Sequence, residues 1–483
     1  MGGWASLRER ASAGGGQKRR ESIIGVGMEP ILGKRRDGPA RRAARGAGLA
    51  AAVALSACGD ESAATATPAP PPLSLLILDQ DAGAPLADGS RAGAILQAQE
   101  VGTGWSEPAI AATDARWVEP TDLLQLPDGS WLVLESQWAP GGAAGPDARG
   151  AIFRLATLDA TPEPWWTDAR TRQPVSLVRD AEGTLFVSDR AADPLDLRAA
   201  EPGRKTGCVF GIEVGPDGRP ARTEVVAAGP ELVTPGALLA SGPLLLLMDA
   251  DANPRGVRRP DGVLATPGVL FDLLPLPKTD RLAPRHLHDL LDSVSTVSPI
   301  GLIERRPPGS PPPPAAIAAG SETWTPGRLV EFQIAQARLQ SALPDLYLVD
   351  ANFGTAEGVL GDGAILRLTF MQVPDGGMDR DSWVGRIVRC DLVADTRTLG
   401  AHALVDPTTG CCLPDGRLAI ADANADPRHL GPDGTAKGVY GTAHGAVVAW
   451  DPDAPGHLEV LLAGKDLVTP VAVRVAQPAG AAR

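Results

Sequence analysis

The chain has 483 residues, with 45 Lys and Arg against 58 Asp and Glu, and a formal net charge of −13 at pH 7. This acidity disfavours nucleic acid as a partner, because such binding is driven by neutralising phosphates, and it equally disfavours adsorption on anionic lipid. The 56 Gly and 46 Pro residues favour short strands joined by turns over long helices.

The N-terminal region is basic and precedes a short apolar run. Residues 1–57 hold eleven Lys and Arg and four Asp and Glu, and the run from Leu49 to Leu55 is too short to span a bilayer. The sequence LSAC, ending at Cys58, resembles a bacterial lipobox. We therefore predict a lipoprotein signal peptide over residues 1–57, with Met28 as an alternative start, and lipid on Cys58. An ordinary signal peptide and a disordered basic tail are the alternatives.

Residues 58–72 are rich in Ala, Thr and Pro and read as a tether. Without residues 1–57 the chain has 34 Lys and Arg against 54 Asp and Glu, a net charge of −20. No later segment has the run of about 18 apolar residues that a transmembrane helix needs. We expect localisation in the cell envelope, facing the periplasm or the exterior, with the membrane contacted through the lipid alone.

A strand ending in an acid recurs along the chain. At Leu413 a Pro-Asp-Gly turn is followed by the alternating strand Leu418 to Asp422, which is typical of a half-buried strand after a tight turn. The recurring terminal acids are Asp79, Glu135, Asp189, Asp249, Asp350 and Asp422.

A second recurring strand opens on glycine. The distance from the first of these glycines, Gly93, to the last, Gly445, is 352 residues, or six steps of about 59. Such a period indicates a repeat architecture, and four short strands per unit predict an all-β β-propeller over residues 73–475, followed by a C-terminal tail over 476–483. We predict seven four-stranded blades, with six as the alternative.

The count depends on an irregular middle region. The seven-blade prediction takes residues 302–304 as a weak second strand of a degenerate blade, and residues 285–291 could form a short helix. If the middle region is only a long insertion, the count is six.

The two ends of the repeat region complement each other. The segment from Leu73 to Ala112 contains second, third and fourth strands but no first, whereas Val468 to Val475 follows a copy of the Leu-Val-Thr-Pro sequence that begins at Leu232. We predict that the C-terminal segment supplies the missing first strand and closes the ring, which protects the sheet edges.

The repeats resemble those of NHL-type bacterial propellers, including gluconolactonase-like and streptogramin-lyase-like proteins. The resemblance lies in Pro, a hydrophobic strand, Asp-Gly-x-Leu-x-Val-x-Asp, and then Gly-x-Ile or Gly-x-Val. It covers most of residues 73–475 and implies the architecture rather than a function, because propellers host many activities.

The strand-end acids should ring one face, near the prolines that open the first strands. Two clusters alternate carboxylates and amides, the hard oxygen ligands that Ca²⁺ prefers. These candidate metal ligands are Asp249, Asp251, Asn253, Asp422, Asn424 and Asp426. Turn and capping chemistry is the alternative, and we predict weak Ca²⁺ binding at most, with no other cofactor.

Two histidines are candidates for acid–base or metal chemistry. His429 and His444 lie in the long loop between Asp422 and Gly445. The streptogramin lyases of the resemblance use a histidine in such a role, but no motif here matches theirs residue by residue, and solvated loop histidines are the alternative. His286 and His288 rank lower, because they share a face on a strand but not on a helix.

The remaining cysteines are Cys208, Cys390 and the adjacent pair Cys411 and Cys412. No C-x-x-C motif occurs, so thioredoxin, zinc-ribbon and haem-attachment chemistry are unsupported. Whether Cys411 and Cys412 form a vicinal disulfide stays open.

Two classes of function remain. The first is a monomeric, membrane-tethered envelope propeller that binds an envelope protein or a small ligand on its face. The alternative is a metal-assisted lactonase-like hydrolase or lyase with its site on the acidic face.

Overall fold

The computed structural model describes most of the predicted propeller and part of its loops. The described residues are 72–86, 89–138, 148–241, 244–252, 268–275, 282–289, 299–305, 345–351, 363–371, 386–399, 403–424, 445–463 and 467–477. The predicted signal peptide, Cys58 and almost all of the tether lie outside this part of the chain.

The described residues form six antiparallel sheets, or blades, each of four main strands. In order from first to fourth strand, blade 1 contains β25 (Pro470–Ala476), β1 (Ser74–Asp79), β2 (Ala94–Val101) and β4 (Ala109–Thr113), with the short β3 (Gly104–Trp105) also pairing with β2; blade 2 contains β5 (Pro120–Gln125), β6 (Trp131–Trp138), β7 (Arg149–Leu155) and β8 (Glu163–Thr167); blade 3 contains β9 (Pro174–Arg179), β10 (Leu185–Asp189), β11 (Cys208–Val214) and β12 (Pro220–Ala228); blade 4 contains β13 (Pro235–Ser241), β14 (Leu244–Asp249), β15 (Val269–Pro275) and β16 (Leu282–Asp289); blade 5 contains β17 (Pro299–Arg305), β18 (Asp345–Asp350), β19 (Ala364–Met371) and β20 (Arg386–Ala394); and blade 6 contains β21 (Pro407–Cys412), β22 (Leu418–Asp422), β23 (Ala446–Trp450) and β24 (Leu458–Ala463). Two short helices are α1 (Leu197–Ala200) and α2 (Thr396–Leu399).

The first strands form the inside of a closed ring. Each contacts the first strand of the next blade, from β25 through β5, β9, β13, β17 and β21 and back to β25. This is the radial arrangement of a β-propeller, as the repeats predict.

The hydrophobic core lies between neighbouring blades. On β6, Trp131 and Val133 pack towards blade 1, whereas Leu132 and Leu134 pack towards blade 3. Alternation along the second strand therefore supplies one residue in turn to each of two interfaces, which explains why these strands read as nearly continuous apolar runs.

The described residues show six blades, the alternative count, and no seventh. Residues 302–304 lie in β17, the first strand of blade 5, so the interpretation of this stretch as a second strand is wrong. The glycine spacing explains the error: Gly93, Gly150 and Gly207 are 57 residues apart, but Gly268 and Gly363 are 95 apart. Averaging over this long unit mimics an additional repeat.

The region around His286 also differs from the expected helix. Residues 282–289 form β16, with His286 opposite Phe271 and His288 opposite Leu270. The register shifts between these two pairs. None of the helices among the described residues is long and apolar enough to cross a membrane.

The predicted ring closure is confirmed. Strand β25 pairs antiparallel with β1, with Ser74 opposite Ala476 and Leu78 opposite Ala472. Gln125 of blade 2 holds the end of β25 from the neighbouring blade, because its side chain both donates to and accepts from the Gln477 backbone, at 3.1 and 2.8 Å.

The glycines that open the third strands carry a second inter-blade contact. A Cβ on Gly445 would lie 2.1 Å from Cδ of Pro470, the first residue of the next blade. The same glycine–proline contact, below 2.5 Å in each case, joins Gly93 to Pro120, Gly150 to Pro174, Gly207 to Pro235 and Gly363 to Pro407. Glycine is needed at these positions because the proline ring of the next blade fills the space of a side chain.

Candidate functional site

The strand-end acids lie on one face of the ring, as predicted, and each approaches the start of its blade's first strand. In blade 1 the Asp79 carboxylate accepts from Val468 N–H at 2.7 Å, from Thr469 N–H at 3.0 and 3.1 Å, and from Asp81 N–H at 2.9 Å. A carboxylate has about four lone-pair sites, so these bonds fill its acceptor capacity. We call this arrangement, an acid holding the two N–H groups before the proline, the backbone latch.

The latch recurs in other blades. Its acids are fully buried and accept from the residues that precede each proline: Glu135 from Glu119, Asp189 from Arg172 and Gln173, Asp249 from Val233 and Thr234, and Asp422 from Val405 and Asp406. Because the strand-1 backbone would otherwise leave buried N–H groups without partners, the acids are needed to hold each blade together.

Burial has a measurable consequence for the latch acids. It raises the pKa of Asp79 and of Asp249 to about 6, against the lowering effect of the backbone N–H donors. Burial raises the pKa of Glu135 to about 8, to which the nearby Glu119 carboxylate also contributes. Burial likewise raises the pKa of Asp189.

The candidate metal clusters are partly described. Asp251 accepts from Thr234 Oγ1 at 2.8 Å and pairs with the Lys205 ammonium. The Asn424 side chain donates to Asp406 Oδ2 at 2.7 Å. Among the described residues no group of three His, Cys, Asp or Glu side chains is placed to hold a metal ion. Asn253 and Asp426 lie outside the described residues.

The remaining candidates are placed as follows. His429 and His444 lie outside the described residues, as does Cys58, and His286 and His288 are on β16. Cys411 and Cys412 are both free thiols on β21, where Cys411 packs towards blade 1 and Cys412 towards blade 5.

A polar chain along the first strands was not found by sequence reasoning. Arg474 of blade 1 donates to Gly410 O of blade 6 at 3.2 Å and to Asp122 of blade 2 at 2.5 Å. Asp122 in turn accepts from Ser176 Oγ of blade 3 at 3.3 Å, and Ser176 Oγ accepts from Leu238 N–H of blade 4 at 3.2 Å. These hydrogen bonds connect five of the six blades.

A repeated Asp-Ala-Arg sequence was also overlooked, although it was visible as a signal. Asp114 and Arg116 pair at 2.6 Å, and the guanidinium lies 4.9 Å from the ring centre of Phe153 in the next blade. Asp168 and Arg170 repeat this pairing over Phe210, at 2.6 and 5.4 Å. Each cation–π contact ties a fourth strand to the following blade.

The described residues also contain a groove of about 340 Å³ on the outer rim, away from the acid face. It lies between β4 and the turn joining β7 to β8, and its lining includes Ile110, Asp114, Leu158 and Pro162. Since Asp114 is already paired with Arg116, the groove brings no free catalytic pair together.

Comparison with known proteins gives structural neighbours only. No protein-family model and no curated protein matches the sequence. A nidogen/laminin complex shares 11% identity with a TM-score of 0.45, covering 84% of this chain and 98% of that one. A putative 6-phosphogluconolactonase from Bacteroides fragilis shares 12% identity with a TM-score of 0.41, covering 84% of this chain and 98% of that one. A gluconolactonase from Xanthomonas campestris shares 14% identity with a TM-score of 0.39, covering 84% of this chain and 91% of that one. At these values the similarities carry no argument about activity.

Proposed function

We propose that this propeller is a lipid-anchored module of the cell envelope that binds an envelope protein or a small ligand through its loops. The observation that carries the proposal is the backbone latch. The acids at the place where a metal-dependent hydrolase would need ligands are committed to peptide N–H groups.

The commitment is quantitative for two of the acids. Asp249 accepts from Thr234 N–H, Asp251 N–H and Ala252 N–H at one oxygen, at 2.9 to 3.1 Å, and from Val233 N–H and Thr234 N–H at the other, at 2.7 and 3.1 Å. As in Asp79, both oxygens are saturated, and a metal ion would have to displace backbone donors. The acid ring therefore serves as scaffold, which leaves recognition to the loops.

The anchor part of the proposal rests on the lipobox-like sequence before Cys58. A lipid there would keep the chain at a membrane despite its net negative charge, since acyl burial needs no basic surface. Mass spectrometry of the mature protein tests it. We expect a chain that begins at a lipid-modified Cys58 and a Cys58→Ser variant without the lipid mass. An unmodified chain beginning upstream of Cys58 would remove the anchor.

Turnover assays test binding against catalysis. The protein is incubated with a panel of lactones and cyclic depsipeptides, with and without divalent cations, beside the His444→Ala variant. We expect no robust rate, and the same background for both proteins. A clear rate that His444→Ala abolishes would replace the binding function with the hydrolase or lyase alternative.

Calorimetry with Ca²⁺ tests the candidate metal loops. Asp251 already pairs with Lys205 and Thr234, so we expect weak binding heat at most. Heat that disappears in Asp251→Ala and Asn424→Ala would assign the ion to these loops. Heat unchanged by both substitutions would return them to turn chemistry.

A further inference from the structure

A hairpin projects from blade 1 at the end of β2. Strand β2 turns at Gly102 and pairs back through β3, with Val101 opposite Gly104 and Glu100 opposite Trp105. A Cβ on Gly102 or on Gly104 would meet no atom within 4 Å. The tip therefore stands free of the rest of the blade.

The tip has an apolar character that is uncommon at such a free turn. Val101 is 63% exposed, the largest exposure among the large hydrophobic residues that the structure describes. The hairpin from Gln99 to Ser106 contains one ionisable side chain, Glu100, and the partly buried Trp105 packs against the blade 1–blade 6 core.

Other exposed hydrophobic residues lie on neighbouring strands. Val460, 41% exposed, is on β24, which contacts β3, and Ile110, 52% exposed, is on β4 of blade 1. The fourth large exposed hydrophobic, Leu195, is beside α1 on the acid face. Three of the four thus lie on one side of the ring.

The chain enters the propeller at this same hairpin. Glu100 N–H donates to Leu73 O at 2.9 Å, and Ser74 is opposite Gln99 in the β1–β2 pair. From Cys58 to Leu73 the chain can span at most about 50 Å when fully extended. A lipid on Cys58 would hold this edge of the domain nearer to the bilayer than any other.

We propose that the hairpin from Gln99 to Ser106 rests on the headgroup region of a zwitterionic membrane, with Val101 and Trp105 as its apolar contacts. This inference rests on the lipid anchor of the proposed function. The contact is weak by itself, but the tether converts it into an intramolecular event at high effective concentration. Tryptophan suits the membrane interface because its ring is apolar and its N–H is polar.

Charge limits the choice of membrane. Glu100 lies in the hairpin and Glu107 directly follows it, and neither would be attracted to anionic lipid. We therefore expect the contact to form on phosphatidylcholine and to weaken when phosphatidylglycerol is added.

Hydrogen exchange of the full lipidated protein tests the proposal. Exchange is compared between phosphatidylcholine vesicles and detergent for the hairpin and for residues 191–206 on the acid face. We expect exchange at 102–104 to slow by about tenfold on vesicles, with no change at 191–206. Val101→Ser should reduce this protection, whereas the matched variant Leu195→Ser should retain it.

The outcomes separate the two proposals. If the wild-type protein does not float with vesicles, or floats equally well as Cys58→Ser, the anchor is wrong. If it floats but the hairpin exchanges as in detergent, or both segments are protected equally, the hairpin contact alone is wrong. Protection that needs added envelope protein and is absent on bare vesicles would assign the hairpin to a protein partner and overturn the membrane contact.

Discussion

The latches of blades 1 and 3 have the same geometry but very different positions in the chain. In blade 3, Asp189 accepts from Arg172 and Gln173 N–H at 2.7 and 3.1 Å, across 17 and 16 residues. In blade 1, Asp79 accepts from Val468 and Thr469 N–H at 2.7 and 3.0 Å, across 389 and 390 residues.

The comparison separates local bonding from chain topology. The blade 3 latch closes within one hairpin, so it can form early and reform quickly after opening. The blade 1 latch forms only after the whole ring is assembled, since its partners come from opposite ends of the propeller and closing a longer loop costs more entropy. We therefore expect perturbations in blade 1 to act on the unfolding of the entire ring.

Removing β25 is the strongest test of this difference. A chain truncated after Asp466 loses the first strand of blade 1 and exposes the apolar β1 edge. We expect the whole domain to lose several kcal/mol cooperatively, as for other lost core elements. Thermal unfolding is the measurement, with truncation after Gln477 as the control that keeps the strand. Equal melting temperatures for the full chain and the chain ending at Asp466 would contradict the closure.

Filling the glycine–proline contact should have the next largest effect. Gly445→Ala would place a methyl group 2.1 Å from Pro470, forcing the blade 6–blade 1 joint apart. We expect a loss of about 1–3 kcal/mol in denaturant unfolding. Gly456→Ala is the matched control, because a Cβ there meets nothing within 4 Å. If both substitutions have the same effect, the contact does not constrain the joint.

Substituting the latch acids compares blades 1 and 3 directly. Asp79→Asn and Asp189→Asn each turn an amide NH₂ towards backbone N–H donors, and we expect each to cost about 1–3 kcal/mol. Stopped-flow unfolding should show the larger acceleration for Asp79→Asn. The exposed Asp159→Asn serves as control, with an expected change within about 0.5 kcal/mol. Equal unfolding rates for the two latch variants would remove the distinction between local and closing latches.

The pH dependence extends the comparison to blade 2 and should be the smallest effect. Because burial raises the pKa of Glu135 to about 8, the folded state binds its proton more tightly than the unfolded chain does. Its contribution is complete below the ordinary pKa near 4.5 and is lost as pH rises through the folded value. Urea unfolding at pH 5, 6.5 and 8 should show a decline that Glu135→Gln flattens.

Asp249→Asn supplies the control for that window. The pKa of Asp249 is raised to about 6, so its loss should be nearly complete by pH 6.5. We expect Asp249→Asn to change the slope below pH 6.5 and to leave the decline between pH 6.5 and 8. A decline above pH 6.5 that survives in Glu135→Gln would assign it to another group.

Much of the fold was predictable because it depends on local repetition. The alternating strand before Asp422, the glycine before each third strand and the Leu-Val-Thr-Pro copy at Leu467 predicted the strands, the face that carries the acids and the ring closure. The blade number was less predictable, since the long stretch from Gly268 to Gly363 made an average spacing misleading.

The site was less predictable than the fold. Turn chemistry was the correct alternative for Asp249 and Asp422 as far as their described contacts go, because backbone donors are available at every strand end. The chain from Arg474 through Asp122 to Ser176 could not be inferred, because its members are 352 and 54 residues apart and share no motif. His429 and His444 remain predictions.

The pairing of Ser74 with Ala476 gives the domain a direction of mechanical weakness. Both ends of the ring leave blade 1 side by side, so a force that separates Leu73 from Gln477 would peel β1 from β25 one hydrogen bond at a time. A force between Leu73 and a ligand held by another blade would instead strain the hydrogen bonds of several strands together. The same fold would thus yield easily to one pull and resist the other.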